Sequence, residues 1–231
     1  MNSAEASNPF FYLYDTLHSK LGIKLPFTHF ERSVLRALNV APTQLHPNSW
    51  AFVRAFELLC EDLGKAPTLG VFFWFFTPRK TDRVGWTSLS NRPKRTLLRP
   101  FLESYKAFKN RFFRVAPSDP TSRLLIDRDR RQYFPLQWTR QPAVSITVDV
   151  ENLERWERAF IAELKELPII DLDDDDDDGC TSQGLHRKKV ISEIIAENEH
   201  ASADTFKRRK CVSGIEIFTS TSPSSADTFK R

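Results

Sequence analysis

The sequence predicts an α+β protein: one mainly helical domain with a small antiparallel sheet, followed by a disordered tail of acidic and basic stretches. Three observations carry this reading. Apolar residues recur at helical spacing in capped segments before residue 170, and short aromatic and β-branched runs lie between those segments. Beyond residue 170 the chain turns to Asp, Ser, Thr and Lys, with too little apolar surface to offset the entropy of ordering it. The domain is therefore placed at residues 8–170 and the low-complexity tail at 171–231.

Each element has a local reason. In "THFERSVLRAL", Thr28 with Glu31 three residues on forms a capping box, and Leu35 and Leu38 supply an inward face. In "LHPNSWAFVRAFELLCEDLG", Asn48 or Ser49 caps the start, and Trp50, Val53, Phe56, Cys60 and Leu63 recur at steps of three and four. Gly64 suits the left-handed position after the helix. "GVFFWFFTP" holds seven apolar residues in a row, for which periodicity does not separate a buried strand from a short buried helix. Pro67 and Thr68 just before it favour a helix start. "VGWTSLS", "RFFRV" and "YFPLQW" suit the strands of a small antiparallel sheet, with a helix over "LESYKAFKNR". The last strong element is "DVENLERWERAFIAELKELP": Asp149 caps, Leu153, Trp156, Phe160, Leu164 and Leu167 form the stripe, and Glu154 pairs with Arg158. In the tail, "SADTFKR" stands at 202–208 and again at 225–231, a duplication and not a stacking repeat.

Charge is segregated along the chain. Residues 79–140 hold 16 Lys and Arg against 5 Asp and Glu, whereas residues 141–180 hold 3 against 13. The basic middle is the part suited to a polyanion. Within it, Arg92, Lys94, Arg95, Arg99, Lys106, Lys109, Arg111 and Arg114 alternate with aromatic residues, a composition that lets cations hold phosphates while rings stack on bases. These eight are the candidate nucleic-acid-binding residues. The bland alternative is that the rings are core and the charges a solvated face.

Other chemistries find no motif. Seven glycines leave no phosphate-cradling loop, the five histidines show no metal-ligand spacing, and no G-x-S-x-G nucleophile turn occurs. No catalytic residue, metal or cofactor is expected. The run Asp173–Asp178 repels itself and reads as a solvated linker, because paired metal ions need carboxylates from separate rigid elements. That run is also placed to lie back on the basic block and compete with nucleic acid. Three widely spaced cysteines, no basic-then-apolar leader and no 18-residue apolar run fit a nuclear or cytoplasmic protein that is neither secreted nor membrane-bound.

Taken in order, "PFFYLYDTLHSKLGIKLPFTHFERSVLRALNVAPTQLHPNSWAFVRAFELLCEDLGKAPTLGVFFWFF", "VGWTSLSNRPKR", "FLESYKAFKNRFFRV" and "FPLQW" resemble the plant family that carries a putative gypsy-type transposon domain in retroelement-derived, gag-like reading frames. The resemblance spans Asn8 to Leu167. It implies a non-enzymatic protein that binds RNA or DNA or forms homo-oligomers and has no small-molecule substrate. It carries no catalytic residue onto this chain. The sequence departs from the family's pattern after Asp171, where relatives continue into long helical regions, so a truncated or degenerate copy is one reading. Two alternatives stand beside the gag-like one. A transposon-derived adaptor would bind a protein through the exposed side of the Trp156 helix. A DNA-processing enzyme would need converging carboxylates, with Asp62, Asp82 and Asp127 as the scattered candidates.

Overall fold

A computed structural model describes residues 9–80, 85–99, 108, 111–119 and 123–170, together with the backbone of Ile215–Ser220. In chain order the described elements are β1 (Phe11–Tyr14), α1 (Asp15–Ser19), α2 (His29–Leu38), α3 (Pro47–Asp62), α4 (Leu69–Phe75), β2 (Phe76–Lys80), β3 (Thr87–Asn91), β4 (Phe112–Pro117), α5 (Arg155–Glu166) and β5 (Ile215–Ser220). The α+β class holds. The expected helix over 102–111, the Asp173–Asp178 run and both copies of the tail heptapeptide lie outside the described residues, apart from Phe108 and Arg111.

The helix starts follow from hydroxyl chemistry. Thr28 Oγ1 accepts from the Glu31 N–H at 3.0 Å, while the Glu31 carboxylate accepts from the Thr28 N–H at 2.7 Å, closing the expected capping box. Thr68 caps α4 in the same way, accepting from the Val71 N–H at 3.3 Å. In both cases the hydroxyl proton goes to a carboxylate of a neighbouring helix: Thr28 to Glu57 and Thr68 to Glu157, each at 2.6 Å. Each cap thus also ties its helix to another. The end of α3 is built as its glycine predicts. Gly64 takes φ +63°, its N–H reaches the Glu61 carbonyl at 3.0 Å, and the Lys65 N–H reaches the Cys60 carbonyl at 2.8 Å, a Schellman closure.

Four local expectations are corrected. The cap of α3 is His46, whose Nδ1 accepts from the Asn48 N–H at 3.2 Å, because Pro47 has the fixed φ that suits the first helical position. Ser49 instead accepts from the Leu89 N–H at 2.7 Å and joins α3 to β3. "GVFFWFFTP" is neither all helix nor all strand, since α4 ends at Phe75 and β2 starts at Phe76. Asp149 caps a 3-10 turn at Val150–Asn152, and α5 begins only at Arg155, capped by Glu154 with Glu157. "YFPLQW" forms no strand: Pro135 cannot donate to a ladder, and Phe134 is buried as a plug against Phe11 and Phe27.

The sheet is two sheets. β2 pairs antiparallel with β3, whereas β4 lies between β1 and β5, antiparallel to both. β1, from the N-terminal aromatic run, is a strand that periodicity alone does not reveal. Six residues of β5 pair with β4, with Ile217 opposite Val115, so a segment beyond residue 170 returns to the domain.

The core is organised on α3. Its burial is not a stripe: Ala51, Phe52, Leu58 and Leu59 are buried along with Trp50, Val53, Phe56 and Cys60, because neighbours pack on every side. Phe30 of α2, Phe56 of α3, Phe72 of α4 and Phe76 of β2 form a continuous ring cluster with centroids 4.8 to 5.6 Å apart. Trp50 stacks on Phe27 at 5.3 Å and donates its indole N–H to the Pro42 carbonyl at 3.0 Å. Close approach of α5 to α4 depends on Gly70, where a Cβ would stand 2.6 Å from Leu153 Cδ2 and 3.0 Å from Glu157 Oε1.

Candidate nucleic-acid interface

Arg92, Lys94 and Arg95 are brought together by one tight turn. Pro93 sets the first central position and Lys94 takes φ +61° at the second, and the Arg95 N–H closes onto the Arg92 carbonyl at 3.1 Å. This turn sits on the C-terminal end of α4. The Arg92 N–H donates to the Phe75 carbonyl at 2.7 Å and its Nε to the Phe73 carbonyl at 2.8 Å, while Nη2 reaches across to the Ile146 carbonyl. Arg95 Nη1 donates to the Trp74 carbonyl at 3.3 Å, and its guanidinium lies 3.6 Å over the Trp74 ring. Two cations on the carbonyl end of a helix offset its dipole and satisfy carbonyls that no helical N–H reaches. Burial, with the charge of Arg95 second, shifts the Arg92 pKa downward.

The other candidates stand on different elements. Arg111 pairs with Asp15 at 3.3 Å, at the join of β1 and α1, and keeps its side chain 68% exposed. Arg114, on β4 opposite Tyr12, lies 4.2 Å over the Phe10 ring. Lys94 and Arg99 are exposed; the Arg99 N–H bonds the Ile170 carbonyl at 2.8 Å, which fixes where the end of the domain meets Leu97 to Arg99. Lys106 and Lys109 lie outside the described residues. The block therefore contains cations with structural partners as well as cations open to solvent.

One prediction separates those roles. Arg92→Ala should lower stability by about 1 to 3 kcal/mol, the cost of leaving buried carbonyls unpaired, and move the urea midpoint accordingly. Lys94→Gln should change it by less than about 0.5 kcal/mol. Equal, negligible effects on unfolding would mean that Arg92 does not hold the end of α4.

Other chemistry-bearing groups are spent inside the fold. Burial, then the charge of Glu57, pushes the Cys60 thiol up to about 12, which makes it a poor nucleophile. Asp127 uses Oδ1 to accept the N–H groups of Asp129 and Arg131, each at 2.9 Å. Asp82 lies outside the described residues. Among the described residues no group of three or more His, Cys, Asp and Glu is placed to hold a metal ion, and no helix is long and apolar enough to cross a membrane.

Sequence reasoning did not single out Arg123, Arg128, Arg130, Arg131 and Arg140, which are all exposed. The available signal was composition: residues 110–164 contain nine arginines and no lysine.

Residues 16–80, from α1 through β2, match the family model described as "Putative gypsy type transposon". The match therefore covers the α2–α3–α4 core and ends before all eight candidate basic residues. No curated protein and no solved structure matches the chain.

Proposed function

We propose that this chain, whose residues 16–80 match a gypsy-type transposon family, is a retroelement-derived, gag-like and non-enzymatic protein that binds nucleic acid through its basic middle section. The observation that carries the reading is charge placed on a scaffold. Of the 16 basic residues between 79 and 140, those among the described residues lie on β2, on β4 and on the turns and loops that follow α4, and the same span holds 5 acidic residues. Homotypic association and a nuclear or cytoplasmic site of action belong to the same reading.

The test is fluorescence anisotropy of a single-stranded RNA and a duplex DNA titrated with the full chain at several salt concentrations. Contact with about five phosphates gives a log–log slope near −3.5 on a single strand and −4.5 on a duplex. A flat salt dependence, or no binding at 50 mM salt, would remove the polyanion reading.

One observation favours a second reading, an adaptor that binds protein. Trp156 is 40% exposed on α5, with its indole N–H held by Glu154 Oε2 at 2.7 Å. A large ring presented to solvent is a usual anchor of protein interfaces. One stoichiometric partner retained after nuclease treatment and lost with Trp156→Ala would favour the adaptor.

A further inference from the structure

Residues Asp127 to Arg131 form a loop whose shape is fixed from within. The Asp127 N–H donates to the Arg131 carbonyl at 2.8 Å, and Asp127 Oδ1 takes two N–H groups of the loop. Arg130 holds φ +61°, and Ile126 and Gln132 close the base as an antiparallel bridge. Asp127 is thus the internal staple, and Arg128, Arg130 and Arg131 are left exposed on a rigid tip. None of the three side chains, nor that of Arg123, makes an ion pair or hydrogen bond among the described residues.

The loop is also fastened to α2. Arg36 Nε donates to the Tyr133 carbonyl at 2.8 Å and its Nη2 to the Gln132 carbonyl at 3.3 Å, while Arg32 covers the Tyr133 ring at 4.1 Å. Further on, Thr139 Oγ1 and Asn39 Nδ2 tie residues 139–141 to the end of α2 at 2.6 and 2.8 Å, which sets exposed Arg140 on that side as well. The local acids are Asp127 and Asp129, and Asp127 already accepts two backbone hydrogen bonds through Oδ1.

We infer that this arginine loop, with Arg123 and Arg140 beside it, is the principal phosphate-contacting surface of the protein, and that it binds the nucleic-acid backbone without reading sequence. The inference rests on the nucleic-acid reading above and relocates its centre from residues 92–114. Three arguments carry it. Arg92 and Arg95 are engaged with carbonyls of α4, whereas Arg128, Arg130 and Arg131 are exposed and stand within one four-residue span of an internally hydrogen-bonded loop. The absence of lysine over residues 110–164 selects the planar, bidentate donor that matches phosphate oxygens, where a merely solvating face would mix in lysine. Tyr133, the aromatic residue that follows the loop in sequence, is half-buried between Arg32 and the core and so is not offered for base stacking, which leaves the phosphate backbone as the target.

The experiment compares the full chain with R128Q/R130N/R131Q and with K94Q/R99Q by anisotropy on single-stranded RNA and on duplex DNA of two unrelated sequences. Asparagine is chosen at 130 because it tolerates the left-handed conformation. Losing three phosphate contacts should lower the log–log salt slope by about 2 to 3 and weaken binding on the order of a hundredfold at 0.1 M salt, equally for both DNA sequences. K94Q/R99Q should change affinity by less than that. If the parent binds with a steep salt slope and the triple variant binds equally well, the loop is not the surface and the nucleic-acid reading survives without it. If the parent does not bind, both fail. Circular dichroism melts check that the triple variant folds; should it melt early, R123Q/R140Q decides, with a slope reduced by about 1.5 if the inference is right and unchanged if it is wrong.

Discussion

Replacing Phe72 by alanine should cost about 3 to 5 kcal/mol of stability, enough to unfold a large fraction of a domain of ordinary stability. Phe72 is fully buried and its ring meets Phe30, Phe56, Phe73 and Phe76 with centroids 4.8 to 5.4 Å away. The substitution removes transfer free energy and leaves a cavity at the junction of α2, α3, α4 and β2, where four elements would have to shift together to close it. Phe72→Leu keeps most of the volume and should cost about 1 to 2 kcal/mol. Urea unfolding of the three proteins gives the comparison, and a Phe72→Ala loss below about 1 kcal/mol would show that the rings are not one packed unit. A double-mutant cycle with Phe56→Ala should return a coupling of about 0.5 to 1.5 kcal/mol beyond additivity.

What the sequence disclosed of this fold is what local chemistry determines. Thr28 with Glu31, Thr68 before an apolar run and Gly64 after one each act within a few residues, and each is found in its expected role. Pairing between distant segments is not local, so β1 went unseen and two sheets were read as one. The α5 stripe shows a subtler failure. The buried line is Leu153, Glu157, Phe160, Ile161 and Leu164, and hydropathy skips a glutamate in it because nothing local reveals that Thr68 supplies its partner. With Glu157 facing α4, Trp156 in the first turn is turned to solvent. Arg158, expected to pair with Glu154, donates instead to the Leu153 and Val150 carbonyls at 2.6 and 3.3 Å. The partners of the candidate basic residues are equally distant in sequence. Charge along residues 92–114 was visible, but the carbonyls that take up Arg92 and Arg95 come from α4 and from residue 146, and the Asp127 staple that presents three arginines is a matter of backbone geometry.

The same blindness to distant partners hid a pair of buried carboxyl groups, and these set the second large effect. Stability should fall as pH rises from about 4.5 to about 8, and Glu31→Gln should abolish most of that slope. Glu31 is 2% exposed and Glu57 9% exposed, on facing helices, with the Thr28 hydroxyl accepting from the Glu31 N–H and donating to Glu57 Oε1. Burial, then the charge of Glu57, pushes the Glu31 carboxyl up to about 8, against the opposing pull of the Thr28 N–H and of Arg54. Burial raises Glu57 too, and its Oε2 has no hydrogen-bond partner among the described residues. At neutral pH the folded protein therefore holds a proton on Glu31 that the unfolded chain, with an ordinary glutamate, releases. Below about pH 4.5 both states are protonated and the stabilising contribution is complete; through the window up to about 8 it is lost at about 1.4 kcal/mol per pH unit, a few kcal/mol in total. Glutamine keeps an acceptor for the Thr28 N–H and carries no charge to desolvate, so the variant should unfold at higher urea than the parent at pH 8 and at similar urea at pH 4.5. Urea midpoints measured across that range decide it: curves that stay parallel for parent and variant would mean that Glu31 is ionised in the fold, with Arg54 and the Thr28 N–H outweighing its burial.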